Sequence, residues 1–217
     1  MSQKLFNPDY LYHLCQKYKL SPSKKYGQNF LIDPEPIAKM IEAAEIKKKD
    51  TVVEIGPGFG VLTFALVEKA GKVVAFEIEK KLKPYWDTAC HHLDTACHPE
   101  AKTTCPDSVR KDLPRLEIVW GNVLKEFSAD VIVKSERRLP AFGGKQSNPQ
   151  QRDCRVAALL AMTRYKVIAN LPYQITSNVI RIFLEAKNPP ELMVLMVQKE
   201  VAERICAKPG QMSLLSV

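Results

Sequence analysis

No apolar run in this chain approaches the ~20 residues that a helix needs to cross a bilayer, so no membrane partner is expected. Met1 to Pro8 lacks the apolar core of a signal peptide. Cys15, Cys90, Cys97, Cys105, Cys154 and Cys206 form no secreted-type framework, and reduced thiols in a cytoplasm are the expectation. Three of those cysteines crowd with His91, His92 and His98, yet no Cys-x2-Cys pair occurs among them. A duplicated Asp-Thr-Ala-Cys-His, starting at Asp87 and Asp94, explains the recurrence, and no metal is expected. Acidic residues are in deficit, 24 against 32 basic, for a net charge of +8. That excess favours a polyanionic partner, nucleic acid first, through neutralised phosphates. A soluble enzyme with a basic surface is the plainer alternative.

What is present suits one medium domain: 217 residues, 46% hydrophobic and 26% charged, enough for a sizeable core. Asn7 to Tyr18 has the period of a short amphipathic helix. A basic, turn-rich segment follows, from Leu20 to Leu31, and Asp33 with Pro34 and Pro36 opens a helix through about Ala44. Apolar runs at 51–55, 72–78, 116–120, 165–169 and 192–197 read as strands, with helical stretches between them. That alternation predicts an α/β fold with a doubly wound, mostly parallel sheet. Two stretches lack pattern, near 86–115 and 126–164, and read as surface insertions. The chain stops at Leu214-Leu215-Ser216-Val217, which looks like a strand opening and implies a truncated C-terminal end.

The first strand runs into Gly56-Pro57-Gly58-Phe59-Gly60, a G-x-G-x-G turn rather than the G-x-G-x-x-G of dinucleotide folds. Glycines permit left-handed backbone and close approach of a ligand. Glu77 closes the second strand, where a carboxylate accepts both hydroxyls of a ribose. Glu54 is placed to orient the loop or a ligand's amino group. S-adenosylmethionine (SAM), with a ribose and a cationic sulfonium but no pyrophosphate, fits this set better than NAD. After the fourth strand comes Asn170-Leu171-Pro172-Tyr173. An amide oxygen, a backbone carbonyl and an aromatic face together suit a flat ring bearing an amino group, as enzymes acting on an extruded base require. The same four letters also make a common turn.

With Gln28-Asn29-Phe30-Leu31, the Glu54 to Thr63 run, Glu77, Asn170 to Tyr173 and Gln198 to Arg204 in this order, the chain resembles the small-subunit ribosomal RNA adenine dimethyltransferases of the KsgA type. The resemblance implies a class I SAM-dependent methyltransferase, Rossmann-like, over residues 33–217, behind an N-terminal helix and a basic segment at 1–32. It implies dimethylation of two adjacent adenines near the 3′ end of small-subunit rRNA, by a cytoplasmic monomer acting on that RNA or on a pre-small-subunit particle. Carried over, Gln28, Asn29 and Leu31 would contact the methionine and ribose side of SAM. Glu54, Gly56 and Gly58 would hold its carboxypropyl-amine end, Glu77 the ribose hydroxyls, and Ile78 the adenine face. Asn170 would border SAM and begin the catalytic motif that Leu171, Pro172 and Tyr173 complete. Lys24, Lys25, Phe30, Arg137 and Arg138 would meet RNA.

Three departures stand out. Asn122 occupies the place of an acid that reads the SAM adenine amine, and its amide oxygen accepts the same bond without charge assistance. The two insertions are long for the family, and its C-terminal helical domain is missing. Rival readings are a non-catalytic ribosome-assembly or nucleic-acid-binding factor that keeps the fold, and a large-subunit rRNA methyltransferase of the antibiotic-resistance type.

Overall fold

The computed structural model describes residues 2–20, 30–95, 115–126 and 164–208. Within them, five strands form one all-parallel sheet: β1 (Thr51–Ile55), β2 (Lys72–Glu77), β3 (Arg115–Trp120), β4 (Tyr165–Asn170) and β5 (Leu192–Met196). Their order is β3-β2-β1-β4-β5. The chain therefore winds outward one way from β1 and then the other way from β4. Between those two strands the direction of winding reverses, which is where an open α/β sheet leaves a crevice for ligands. Registers such as Ile55 with Phe76 and Ile55 with Ala169 bring the carboxyl ends of the strands to one edge.

The central strands are apolar on both faces because helices cover both. One face packs Val53, Ile55, Val74, Phe76, Val167 and Ala169 against Val179 and Phe183 of α6 (Tyr173–Leu184). Val52, Val73 and Ile168 face the other way. They meet Ile37, Met40 and Ala44 of α2 (Pro34–Ala44) and Leu62, Leu66 and Val67 of α3 (Val61–Lys69). Burying each such side chain contributes roughly 1.5–3 kcal/mol. The expected helix starts are present. Asn7 Oδ1 accepts from the Asp9 and Tyr10 amides at the head of α1 (Pro8–Lys17), and Asp33 Oδ1 from the Glu35 amide at the head of α2. Short helices α5 (Val123–Glu126) and α7 (Lys199–Ile205) follow β3 and β5.

Residues 83–95 correct the sequence reading. What was expected to begin a surface insertion near 86–115 begins as helix α4 (Lys83–Thr95). Leu82, Tyr85, Trp86 and Ala89 are buried at helical spacing, packed with Leu11 and Leu14 of α1 and with Phe59. Lysines, an aspartate and a duplicated polar motif dilute that period in the sequence. The rest of that segment, and the second expected insertion apart from its ends, lie outside the described residues. So do 21–29 and 209–217.

At the amino edge of the sheet, Lys166 Nζ sits 2.9 Å from Asp50 Oδ2 and donates to the Ala44 and Glu45 carbonyls. The side chains are only 12% and 13% exposed. One ammonium thus ties the end of α2, the turn before β1 and the start of β4.

Candidate functional site

The turn from β1 into α3 is left-handed at Gly56, Gly58 and Gly60. At Gly60 (φ +89°) a Cβ would also lie 2.8 Å from both the Phe64 and Trp86 rings, so close packing as well as backbone demands glycine there. At Gly56 (φ +70°) a Cβ would meet nothing within 4 Å, so the backbone there borders open space. Two ring hydrogen bonds hold the loop from beneath: Trp86 Nε1 donates to the Gly58 carbonyl (3.0 Å) and the Tyr85 hydroxyl to the Phe59 carbonyl (2.6 Å). Sequence reasoning missed both residues. The spacing 82, 85, 86, 89 carried their signal.

Glu77 ends β2 nearly fully buried, and its carboxylate accepts from the Gly58 amide at 3.0 Å and the Glu79 amide at 2.7 Å. The Ile78 amide is a third backbone donor, so of a carboxylate's roughly four acceptor positions at least one is left for a hydroxyl. Burial raises its pKa, opposed by these backbone amides. Ile78 follows with 52% of its surface exposed, an apolar wall beside the acid.

Glu54 is 1% exposed, and its Oε2 has no hydrogen-bond partner among the described residues. Burial pushes its carboxyl up to about 8; the Thr63 hydroxyl nearby opposes the rise and the Glu77 charge adds to it. Thr63 Oγ1 is also buried and unpartnered, so the two groups lie close without a well-aligned hydrogen bond. An unsatisfied buried acid of this kind marks a place where a cation or donor would be stabilised.

Asn170 closes β4 opposite Met196, one residue beyond the Ala169–Ile55 pair, which sets it beside Gly56. Leu171 buries its side chain and donates its amide to the Met196 carbonyl at 3.1 Å. The Pro172 carbonyl is already engaged, accepting from the Ile175 amide (3.2 Å) and the Thr176 hydroxyl (3.1 Å) as α6 begins. The sequence left either carbonyl as acceptor for a bound amine; with two donors already on the Pro172 carbonyl, the Leu171 carbonyl is the better placed of the two. Tyr173 opens α6 with 55% of its surface exposed, its ring face available to stack.

The remaining expected residues fall variously. Phe30 stacks its ring 5.2 Å from Phe59, over Gly58, and Leu31 packs against the α2–α3 core. Asn122 follows β3 at the same edge, but its Oδ1 accepts from the Leu124 amide at 3.0 Å, capping α5. One lone pair stays for a ligand. Gln28, Asn29, Lys24, Lys25, Arg137 and Arg138 lie outside the described residues. The cysteine and histidine stretch beyond Cys90 is likewise not described at the side-chain level.

The sequence model of the family described as "Ribosomal RNA adenine dimethylase" matches residues 20–217. A "Ribosomal RNA small subunit methyltransferase A" of Dehalococcoides mccartyi is 36% identical over 204 residues, 94% of this chain and 54% of the relative. One of the same name from Listeria innocua is 32% identical over 215 residues, 98% of this chain and 58% of the relative. The chain thus spans about half the length of the curated relatives it matches. Among solved structures, a dimethyladenosine transferase from Plasmodium falciparum aligns with TM-score 0.53 at 24% identity, covering 85% of this chain and 50% of that one. A 23S rRNA methyltransferase aligns with TM-score 0.50 at 23% identity, covering 85% and 54%. Both likenesses speak for the fold.

Proposed function

The chain belongs to the ribosomal RNA adenine dimethylase family, and from that premise we propose that it transfers methyl groups from SAM to the exocyclic amines of two adjacent adenines near the 3′ end of small-subunit rRNA. The observation that carries this reading is the meeting of two half-sites at one sheet edge. Asn170, the Leu171 backbone and the exposed Tyr173 ring stand beside the glycine loop and its buried acids.

The residues present fit SAM. Gly56 leaves room at the backbone, Glu54 offers a buried oxygen without a partner, Glu77 keeps an acceptor position for a ribose, and Ile78 offers an apolar wall. When bound, SAM supplies an electrophilic methyl group on sulfur. The rest of the work falls to this chain. An adenine amine is a weak nucleophile because its lone pair is shared with the ring. Asn170 Oδ1 and the Leu171 carbonyl accept its hydrogens, two in the first transfer and one in the second, which favours a pyramidal nitrogen facing the loop; the proton displaced at each transfer passes to solvent. Tyr173 stacks on the ring and fixes its approach. Orientation and electrostatics of this kind account for the rate without a metal or a dedicated strong base.

The assembly-factor reading draws on one observation, that Asn122 already spends a lone pair on capping α5. Labelled SAM decides between them when the protein is incubated with under-methylated small subunits, large subunits and DNA, and the labelled base is mapped. Label on neighbouring adenines of small-subunit rRNA is expected. Label confined to large subunits, or none while SAM binds, overturns the proposal.

A further inference from the structure

Among the described residues, one stretch of surface beside the loop gathers cations without counter-charges. Lys17 and Lys19 end α1, while Lys80 and Lys81 lie in a short 3-10 turn (Lys80–Leu82) and Lys83 opens α4. All five are exposed. Packing brings the two segments together. Leu14, Leu20, Leu82, Tyr85 and Trp86 share one buried cluster, Tyr18 meets Tyr85 edge-on at 5.7 Å, and Lys81 Nζ donates to the Lys19 carbonyl at 3.1 Å. Among the described residues none of the five lysines forms an ion pair, whereas Lys39, Lys72, Lys166 and Lys199 each do.

Local acids do not balance them. Glu77, Glu79 and Asp87 are the acids nearest in sequence; the Glu77 carboxylate is buried on the Gly58 and Glu79 amides, and Glu79 Oε1 accepts from the Lys81 amide as an N-cap. For Lys80, Lys81 and Lys83 the position is also electrostatically adverse, because the start of a helix is the positive end of its dipole and α4 has no acid in its first turn, whereas Lys17 and Lys19 lie at the favourable C-terminal end of α1. Like charges at such a place cost the free protein stability, and an anion over them relieves that cost. Lys80, Lys81 and Lys83 come within six residues of Glu77, the acid that ends β2 at the carboxyl edge of the sheet. Glu77 ends β2, two strands from β4, which is about 10 Å from Asn170 at normal strand spacing.

We infer that Lys17, Lys19, Lys80, Lys81 and Lys83 form a backbone-binding surface for the RNA whose target base enters the crevice, holding the phosphates that flank it. This rests on the proposed action on rRNA. It adds a surface on the glycine-loop side of the mouth, away from the Asn170 motif. Contacts of this kind set position and affinity without reading sequence.

A matched pair of variants tests it. Lys80→Gln/Lys81→Gln/Lys83→Gln removes three charges from this surface. Lys47→Gln/Lys48→Gln/Lys49→Gln removes three exposed charges from the turn before β1, at the opposite edge. Affinity for a fluorescein-labelled hairpin of small-subunit rRNA sequence is measured by anisotropy across a salt series, with SAM affinity as a check on folding. The first variant should lose about tenfold or more in RNA affinity near physiological salt, with the log–log salt slope shallower by about 2–3. The second should stay within about twofold, and SAM binding should hold in both. Equal losses in the two variants, an unchanged slope in the first, or a wild-type chain that does not bind the hairpin overturns the proposal. RNA affinity is read without methyl transfer, so a chain that binds RNA through these lysines but transfers nothing supports this surface and sinks only the methyltransferase reading.

Discussion

The two edges of the sheet treat buried charge in opposite ways. At the amino edge Asp50 meets Lys166 at 2.9 Å, and the same ammonium satisfies two helix-end carbonyls. Burial alone would raise Asp50, but the Lys166 hydrogen bond, the Lys47 amide and the lysine's charge outweigh it and hold the carboxyl below its ordinary value. At the carboxyl edge Glu54 and Glu77 are buried near each other with no ion pair to either among the described residues, and burial pushes both up. A charge whose needs are met inside the fold is part of the scaffold. One left unmet marks where the fold expects a ligand.

Breaking the carboxyl edge at its reactive end should have the largest effect. Asn170→Ala is expected to lower methyl transfer by about 10²–10³-fold, the scale for losing one aligned polar contact in a transition state. SAM affinity should stay within about twofold. A fully active variant in a single-turnover assay would remove Asn170 from the chemistry.

Breaking the amino edge should cost stability and leave the site intact. Lys166→Ala strands a mostly buried carboxylate, and a loss of about 3 kcal/mol is expected in urea unfolding. Asp50 also has a lowered pKa, so its contribution is present above its unfolded value near pH 4 and is lost as pH falls through the lower folded value. Asp50→Asn should flatten that acid limb. A loss under about 1 kcal/mol for Lys166→Ala would put the edge back among surface ion pairs.

A pH dependence sharpens the contrast. Glu54 titrates near 8 in the fold against an ordinary value of 4.5, so the folded protein holds a proton that the unfolded chain has released between those values. Stability should therefore fall as pH rises through that window and level off above about 8. A cationic ligand favours the ionised acid, so SAM should bind more tightly as pH rises toward 8. Glu54→Gln should flatten both trends in calorimetry. An unchanged pH profile for SAM binding would show that this acid does not serve the ligand.

Much of this was legible in the residues. Strands buried on both faces are unbroken apolar runs, and β1, β2 and β4 stand within a residue of where the sequence predicts them. Contiguous motifs were legible for the same reason: Gly56 to Gly60 and Asn170 to Tyr173 carry their chemistry in adjacent positions. Tyr85 and Trp86 were not, since their task is to hold a loop 26 and 28 residues away. Nor was the choice between two neighbouring carbonyls, which turned on where α6 starts its hydrogen bonds.

Sequence alone determined the parallel α/β sheet, the glycine turn, the acid that closes β2 and the place of Asn170 at the end of β4, because each depends on local periodicity or on adjacent residues. Only the tertiary structure decided which charges are satisfied. Lys166 and Asp50 are 116 positions apart yet form one pair, whereas Glu54 and Glu77 approach each other with no ion pair to either among the described residues. Charge satisfaction depends on what the packed chain brings within a few ångströms, and that is a property of the fold.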